Sequence, residues 1–267
     1  NIPTWGDLLK VFQFYNSSDY QKIKKVWGKY NKNVINYFSK SSWSILLIVL
    51  LKLKKKTLNI WVPSYYCEDA LYLIKKFNVK INFYDVDKNF VANKFNLKEL
   101  YSDNKPDIII FCNFFGKSGF DPYLKEISTQ SNSWLIEDAT HCISPDNDIG
   151  KYGDFVIYSP YKFFPIPTGA ILTTSSDFID QNKLEILLSE KKQILFLKKY
   201  FDELKFKKKN NFFHNSIWLL KKIIFKFKFN FKKIKEFNED GKINSVDYFW
   251  SPKLDYYSKN ILNKYAG

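Results

Sequence analysis

The chain has 267 residues, of which 45% are apolar and 19% aromatic, so it can bury a substantial core and is not of the disordered class. Its formal net charge is +15, and all 42 basic residues are lysine. Nucleic-acid-binding proteins favour arginine for bidentate contacts, so we expect no nucleic-acid partner. No apolar run reaches the roughly 18 residues that a membrane-spanning helix needs.

Up to residue 137, strand-like and helix-like patterns alternate along the chain. Short apolar runs predict strands at 59–62, 79–86, 107–112 and 133–137. Amphipathic stretches predict helices at 18–32, 43–55, 67–76 and 122–129. Strands that alternate with helices are typical of an α/β sheet whose strands run parallel.

The next two apolar runs, 154–159 and 170–174, follow each other without a helix between them. So short a connection predicts an antiparallel neighbour, because parallel strands need a longer crossover. The predicted fold is therefore α/β, a mostly parallel sheet with one antiparallel strand and helices on both faces.

The character of the chain changes after residue 180. Residues 184–204 are helical in pattern, and 256–265 predicts a further helix. We therefore divide the chain into a large domain at 1–180 and a helical, lysine- and aromatic-rich extension at 181–267. Its first residue is Asn and not Met, from which we expect that the sequence begins inside a longer protein.

Residues 205–235 carry eleven lysines and no acidic residue, interleaved with Phe and Ile. These lysines could contact an anionic membrane or a nucleotide diphosphate. Alternatively they form the solvated faces of helices whose apolar side chains pack inward. We favour the second interpretation, because charge runs are usually solvated surfaces.

The spacing of the cysteines and the first residues of the chain indicate the cellular compartment of the protein. The three cysteines, Cys67, Cys112 and Cys142, are too widely spaced for a zinc knuckle and too few for a disulfide framework. No secretory signal is visible in the first residues. We therefore expect a cytoplasmic protein without a metal site.

Lys162 and Asp138 lie at the ends of neighbouring predicted strands, and Ser159 precedes the lysine by three residues. These side chains suit pyridoxal phosphate (PLP), with an amine for its aldehyde, a carboxylate for its ring nitrogen and a hydroxyl for its phosphate. The flanking Tyr161 and Phe163 predict an apolar setting, in which a lysine can be neutral and nucleophilic. The alternatives are a solvated surface lysine and, for the aspartate, a helix cap or turn residue.

Three further segments could contribute to such a site. His141 could reach a cofactor hydroxyl or stack on its ring, or it could be an ordinary loop histidine. Residues 41–44 open a predicted helix, whose backbone amides can bind phosphate or whose serines can simply cap it. The segment around Tyr66 follows a strand end, where an aromatic ring could cover a planar cofactor.

In their order along the chain, six segments resemble the motifs of the DegT/DnrJ/EryC1/StrS family of PLP-dependent sugar aminotransferases, which have the aspartate aminotransferase fold (fold type I). The segments are SSWS at 41–44, WVPSYY at 61–66, FYDVD at 83–87, IIIFCNFFG at 108–116, IEDATHC at 136–142 and YSPYKFFPIPTGA at 158–170. The resemblance extends from about residue 33 to residue 175.

The resemblance implies PLP as the cofactor, with Lys162 as its Schiff-base residue and Asp138 as the partner of its ring nitrogen. It implies that His141 contacts the cofactor's ring or its phenolic oxygen. It places Tyr66 or Cys67 where a ring-stacking aromatic side chain lies. The positions that match phosphate-binding residues are Ser42, Trp43 and Ser159.

The activity that the resemblance implies is transfer of an amino group from an amino acid, typically glutamate, to a keto-sugar, often nucleotide-linked, in surface polysaccharide synthesis. It also implies a homodimer, because the sites of this family form between two subunits. Two departures motivate an alternative, a catalytically inactive protein of this fold with a binding or assembly role. Ser42 and Trp43 replace the usual Gly-Thr, and the family's smaller C-terminal domain is expected to be missing or truncated here.

Overall fold

A computed structural model describes residues 21–53, 57–176, 216–222 and 254–266. Within these ranges, one sheet contains seven strands: β1 (Val34–Phe38), β2 (Leu58–Pro63), β3 (Val79–Tyr84), β4 (Ile108–Cys112), β5 (Trp134–Asp138), β6 (Phe155–Tyr158) and β7 (Ala170–Thr174). Their order across the sheet is β1-β7-β6-β5-β4-β2-β3. Strands β2 to β6 pair in parallel, whereas β7 runs antiparallel to both of its neighbours, β6 and β1.

The helices of the described ranges are α1 (Gln21–Trp27), α2 (Ser41–Lys52), α3 (Glu68–Leu71), α4 (Lys94–Asp103), α5 (Pro122–Ser131), α6 (216–222) and α7 (Tyr256–Tyr265). Short 3-10 turns lie at Ile74–Lys76, Phe114–Gly116 and Pro160–Lys162. The helix predicted at 67–76 is therefore replaced by α3 and the first of these turns.

Helices cover both faces of the sheet, as expected for strands that run parallel. Alternate residues of β4 point to opposite faces, so that Ile110 packs in the core cluster that α2 joins, whereas Ile109 packs with α4 and α5. From α2, Ile45 and Ile48 are fully buried in the first cluster. Burial of each such side chain contributes about 1.5–3 kcal/mol.

The predicted fold class is confirmed, including the antiparallel strand after the short β6–β7 connection. Two elements, β1 and α4, were not predicted. Strand β1 lies at the sheet edge and carries Asn36 among its apolar residues, so its alternation is weak. Helix α4 fully buries only Leu97, so its apolar pattern is weak. The Asn93 side chain caps its start by accepting hydrogen bonds from the backbone N–H groups of Phe95 and Asn96.

Two predicted helix boundaries are corrected. The helix predicted at 18–32 ends before residue 30, because Tyr30 and Asn31 have φ angles of 57° and 61°, which an α-helix does not contain. The helix predicted to start at residue 43 begins at Ser41, with Lys40 in the N-cap position and no side-chain cap hydrogen bond. The interpretation of Ser41 and Ser42 as caps is therefore wrong, because both lie in the first turn of α2.

Helix α7 packs on the sheet although it is distant in sequence. Its Ile261 is fully buried in a cluster that includes Ile171 of β7. Just before α7, Asp255 Oδ2 accepts a hydrogen bond of 2.7 Å from the Thr168 hydroxyl, in the segment that leads into β7. Part of the predicted extension thus completes the core of the predicted large domain.

Some predictions fall outside the described ranges. These are the domain boundary at residue 180, the helix at 184–204, and the lysine-rich segment 205–235 except for 216–222. They remain predictions. Within the ranges that the structure describes, no helix is both long and apolar enough to cross a membrane.

Candidate active site

The carboxyl ends of β4, β5 and β6 meet at one edge of the sheet, where ligands usually bind in α/β folds. A pocket of about 220 Å³ lies there, and the first turn of α2 also lines it. The pocket brings together five of the seven predicted site residues, namely Ser42, Tyr66, Asp138, His141 and Lys162.

The Asp138 carboxylate is buried and held by two donors. It is 4% exposed, at the last position of β5. Its Oδ2 atom accepts a hydrogen bond of 2.6 Å from the Tyr66 hydroxyl, and its Oδ1 atom accepts one of 2.9 Å from the backbone N–H of Thr140. Burial, and secondly the charge of Asp138, raise the pKa of Tyr66 well above its ordinary value.

Lys162 lies in the 3-10 turn that follows β6 and is exposed, so the predicted apolar setting for this lysine is wrong. The reason is that the turn carries the side chain past the buried end of the strand to the pocket. There Lys162 Nζ donates a hydrogen bond of 3.3 Å to the Thr140 hydroxyl oxygen. Thr140 therefore contacts both the predicted lysine, through its side chain, and the predicted carboxylate of Asp138, through its backbone.

The first turn of α2 presents buried polar groups to this region. Ser42 is 3% exposed and lines the pocket, and its hydroxyl has no hydrogen-bond partner among the described residues. The first turn contains no acidic residue, so the helix N-terminus favours a negatively charged group. The Trp43 side chain instead packs in the hydrophobic core and does not line the pocket.

His141 is half-buried at the pocket, beside two phenylalanine rings. Its ring centroid lies 5.6 Å from that of Phe115 and 6.2 Å from that of Phe114. Burial lowers the pKa of His141, the positive charge of Lys162 lowers it further, and the charge of Asp138 opposes both. The imidazole is therefore mostly neutral at pH 7 and can both donate and accept a hydrogen bond.

Ser159 is fully buried and does not line the pocket, and its hydroxyl also has no partner among the described residues.

The pocket also contains residues that the sequence analysis missed. Thr140 is one, and its place within the IEDATHC segment was the signal for it. Lys40 and Tyr161 are others. Burial lowers the pKa of the first and raises that of the second, but nothing distinguishes Lys40 from the other lysines in the sequence.

Behind Asp138, Glu137 is fully buried and accepts four hydrogen bonds. The donors are the Asn113 side-chain amide and the backbone N–H groups of Gly150, Tyr152 and Gly153. Burial raises the pKa of Glu137, and the four donors oppose this shift. Glu137 thereby ties the loop before β6 to the end of β5.

A second pocket, of about 530 Å³, lies beside α1. Its lining combines lysines with Gly28, Asn33 and Ile35, and the described residues of this lining include no acidic or histidine side chain that could form an acid–base pair. Within the described part of the chain, no group of three His, Cys, Asp or Glu side chains could hold a metal ion.

The residues of the first pocket fit PLP. Asp138 offers a fixed acceptor for a protonated ring nitrogen, and Lys162 offers an amine. The Ser42 hydroxyl, buried at a helix N-terminus and without a partner among the described residues, suits a phosphate group. The three kinds of group that this cofactor needs therefore line one pocket.

No protein-family model and no curated protein matches the chain, whereas solved structures do. A DegT DnrJ EryC1 StrS aminotransferase from Brucella abortus matches at 17% identity with a TM-score of 0.56, over 69% of this chain and 54% of that one. DesI, solved in the presence of its TDP-sugar product, matches at 12% identity with a TM-score of 0.55, over 70% and 50%. NtdA from Bacillus subtilis, solved with bound cofactor PMP, matches at 19% identity with a TM-score of 0.53, over 64% and 41%.

The chain thus spans about half the length of these structures, or less. At such low identity, the likeness concerns the arrangement of strands and helices. The chain therefore has the α/β fold of the DegT DnrJ EryC1 StrS aminotransferase structures, as its six sequence segments implied.

Proposed function

We propose that this chain is the cofactor-binding part of a PLP-dependent aminotransferase, which moves an amino group from an amino acid to a keto-sugar. The observation that carries the proposal is the one pocket that Lys162, Asp138, His141 and Ser42 line together. It combines an amine, a buried carboxylate, a mostly neutral imidazole and a buried hydroxyl, and this set matches the chemistry of the cofactor.

When bound, PLP supplies an aldehyde that condenses with amines and a ring that withdraws electrons from the substrate carbon. Asp138 would keep a proton on the ring nitrogen. Lys162 would hold the cofactor through its amine, with Thr140 orienting its Nζ atom. Lys162 Nζ would also be the group that accepts a proton from the substrate's α-carbon. The first turn of α2, with Ser42, would bind the phosphate group.

Reduction by borohydride tests this assignment directly. We expect PLP, added to the full-length protein, to give an absorbance band near the edge of the visible range. Borohydride should then fix the cofactor to Lys162, which peptide mass spectrometry detects. Lys162→Ala should lose both the band and the fixation. Lys117→Ala is the matched control, because Lys117 is exposed and does not line the pocket.

The competing proposal is a catalytically inactive protein of the same fold with a binding or assembly role. One observation favours it, since Trp43 packs in the hydrophobic core and does not line the pocket, although the resemblance implies that it binds phosphate. A wild-type protein that gives no absorbance band with PLP, or a band that survives Lys162→Ala, would support this second function against the first.

As the amino acceptor we propose a nucleotide-linked keto-sugar, and as the setting cytoplasmic synthesis of surface polysaccharides. In support, DesI, which has a similar fold, was solved with its TDP-sugar product. The test is transfer of a ¹⁵N-labelled amino group from glutamate to a panel of nucleotide-linked keto-sugars, followed by mass spectrometry. If no member of the panel accepts the label although PLP is fixed at Lys162, the proposed acceptor class is wrong and the cofactor assignment stands.

We also propose that the active protein is a homodimer. Two aromatic residues near the pocket, Tyr65 and Phe115, are 72% and 75% exposed in the single chain, and a second copy would remove this apolar area from water. Light scattering on the full-length protein should give twice the mass of one chain. The mass of one chain at micromolar concentration would contradict the dimer.

A further inference from the structure

Tyr66 and Asp138 form a buried hydrogen-bonded pair in the wall of the pocket. The Tyr66 hydroxyl donates to Asp138 Oδ2 at 2.6 Å, and the two residues are 7% and 4% exposed. A turn just after β2, in which the Tyr66 N–H donates to the Pro63 carbonyl at 3.0 Å, fixes the backbone of the tyrosine. Tyr66 is thus anchored both at its backbone and at its hydroxyl.

The proton in this pair belongs to Tyr66. Burial raises the pKa of Tyr66 well above its ordinary value, and the nearby negative charge of Asp138 raises it further. The hydroxyl therefore remains protonated throughout the neutral pH range and acts as a permanent donor to the carboxylate.

Each oxygen of the Asp138 carboxylate receives one donor from the protein. Tyr66 donates to Oδ2, and the backbone N–H of Thr140 donates to Oδ1 at 2.9 Å. Because a carboxylate oxygen has two lone pairs, each oxygen keeps one further acceptor position. Donors on both oxygens fix the plane of the carboxylate, whereas the Thr140 donor alone would leave Oδ2 without a tether.

We propose that Tyr66 is a positioning residue that acts through Asp138, and that the carboxylate it fixes selects a planar ligand with a protonated ring nitrogen. This inference rests on the proposed function and deepens it. It differs from the ring-stacking role that the resemblance implies for Tyr66, because here it is the hydroxyl that makes the functional contact.

A pair of ligands that differ only at the ring nitrogen tests this role. Affinities for PLP and for its analogue with C–H in place of that nitrogen are measured with the full-length protein, its Tyr66→Phe variant and a control. Tyr84→Phe is the matched control. Tyr84 is 1% exposed, and its hydroxyl also donates one buried hydrogen bond, of 2.8 Å, to the Ile110 carbonyl. Unlike Tyr66, Tyr84 does not line the pocket.

We expect the wild-type protein to prefer PLP over the analogue, Tyr66→Phe to reduce this preference about tenfold, and Tyr84→Phe to retain it. A preference that Tyr66→Phe leaves unchanged, including equal weakening of both ligands, overturns the inference and leaves the proposed function intact. Binding of neither ligand by the wild-type protein overturns both. Thermal unfolding of the two variants checks that they remain folded, because each keeps the volume of its aromatic ring.

Discussion

On one side of the pocket, at the end of β5, the buried carboxylates of Glu137 and Asp138 receive six hydrogen bonds from the protein. On the other side, in the first turn of α2, Ser42 lines the pocket and is 3% exposed, and its hydroxyl has no partner among the described residues. Buried polar groups are normally paired. The carboxylate side is therefore complete before a ligand binds, whereas the α2 side offers hydrogen-bonding capacity that a ligand can use.

The largest effect should come from breaking the carboxylate side at Glu137. Replacing Glu137 with Ala removes the acceptor of four donors and should lower the free energy of unfolding by about 3–5 kcal/mol, because buried donors that lose their partner are costly. Urea denaturation followed by circular dichroism measures the change. Glu126→Ala, an exposed position on α5, is the control and should shift stability by less than about 0.5 kcal/mol. A Glu137 variant as stable as this control would show that the four hydrogen bonds of Glu137 do not stabilise the end of β5.

An intermediate effect is expected on the α2 side, and it should appear in binding and not in folding. Because the Ser42 hydroxyl has no partner among the described residues, Ser42→Ala should change the free energy of unfolding by less than about 0.5 kcal/mol. The same variant should weaken PLP binding about five- to tenfold through loss of one hydrogen bond to the phosphate group.

Ser128→Ala is the matched control for Ser42→Ala. Ser128 is also 3% exposed on a helix, but its hydroxyl donates to the Ser133 carbonyl at 2.9 Å, so its loss should cost about 1 kcal/mol of stability without changing PLP affinity. If the two serine variants lose equal stability, the described contrast between the two sides of the pocket is incorrect.

The smallest effect concerns His141, which lies near both Lys162 and Asp138. Its pKa is lowered in the folded protein, so below about pH 6.5 the unfolded state binds more protons than the folded state. The contribution of neutral His141 to the free energy of unfolding is therefore complete above about pH 6.5. This contribution is lost as the pH falls through the pKa of His141 in the folded protein. The free energy of unfolding, measured between pH 5 and 7.5, should fall less steeply on acidification in His141→Gln than in the wild-type protein. Parallel pH profiles would contradict this.

The centre of the fold could be predicted because its signals are local. The run that becomes β4 is wholly apolar, and β5 begins with three apolar residues, since helices cover both faces of the sheet. The placement of Asp138 and Lys162 at one sheet edge followed from the ends of neighbouring strands. The start of α2 was harder to predict, because no side-chain cap marks it. The helix begins at Ser41, and Trp43 packs in the hydrophobic core.

The contacts that complete the site were not predictable from sequence. Tyr66 and Asp138 are 72 residues apart, and their hydrogen bond depends on a turn after β2 whose direction the sequence does not specify. The exposure of Lys162 depends likewise on a short 3-10 turn, although aromatic neighbours in the sequence indicated the opposite. Local sequence could thus identify the residue types of the site, whereas tertiary packing determined which atoms meet.

The packing of α7 has a practical consequence for expressing this protein. A recombinant chain cut after β7 would keep the seven described strands, yet it would leave the surface now covered by Tyr257 and Ile261 open to water. It would also lose Asp255, the acceptor for the Thr168 hydroxyl in the segment between the Lys162 turn and β7. The smallest fragment on which cofactor chemistry is worth assaying should therefore include α7, because this helix covers apolar surface of the sheet.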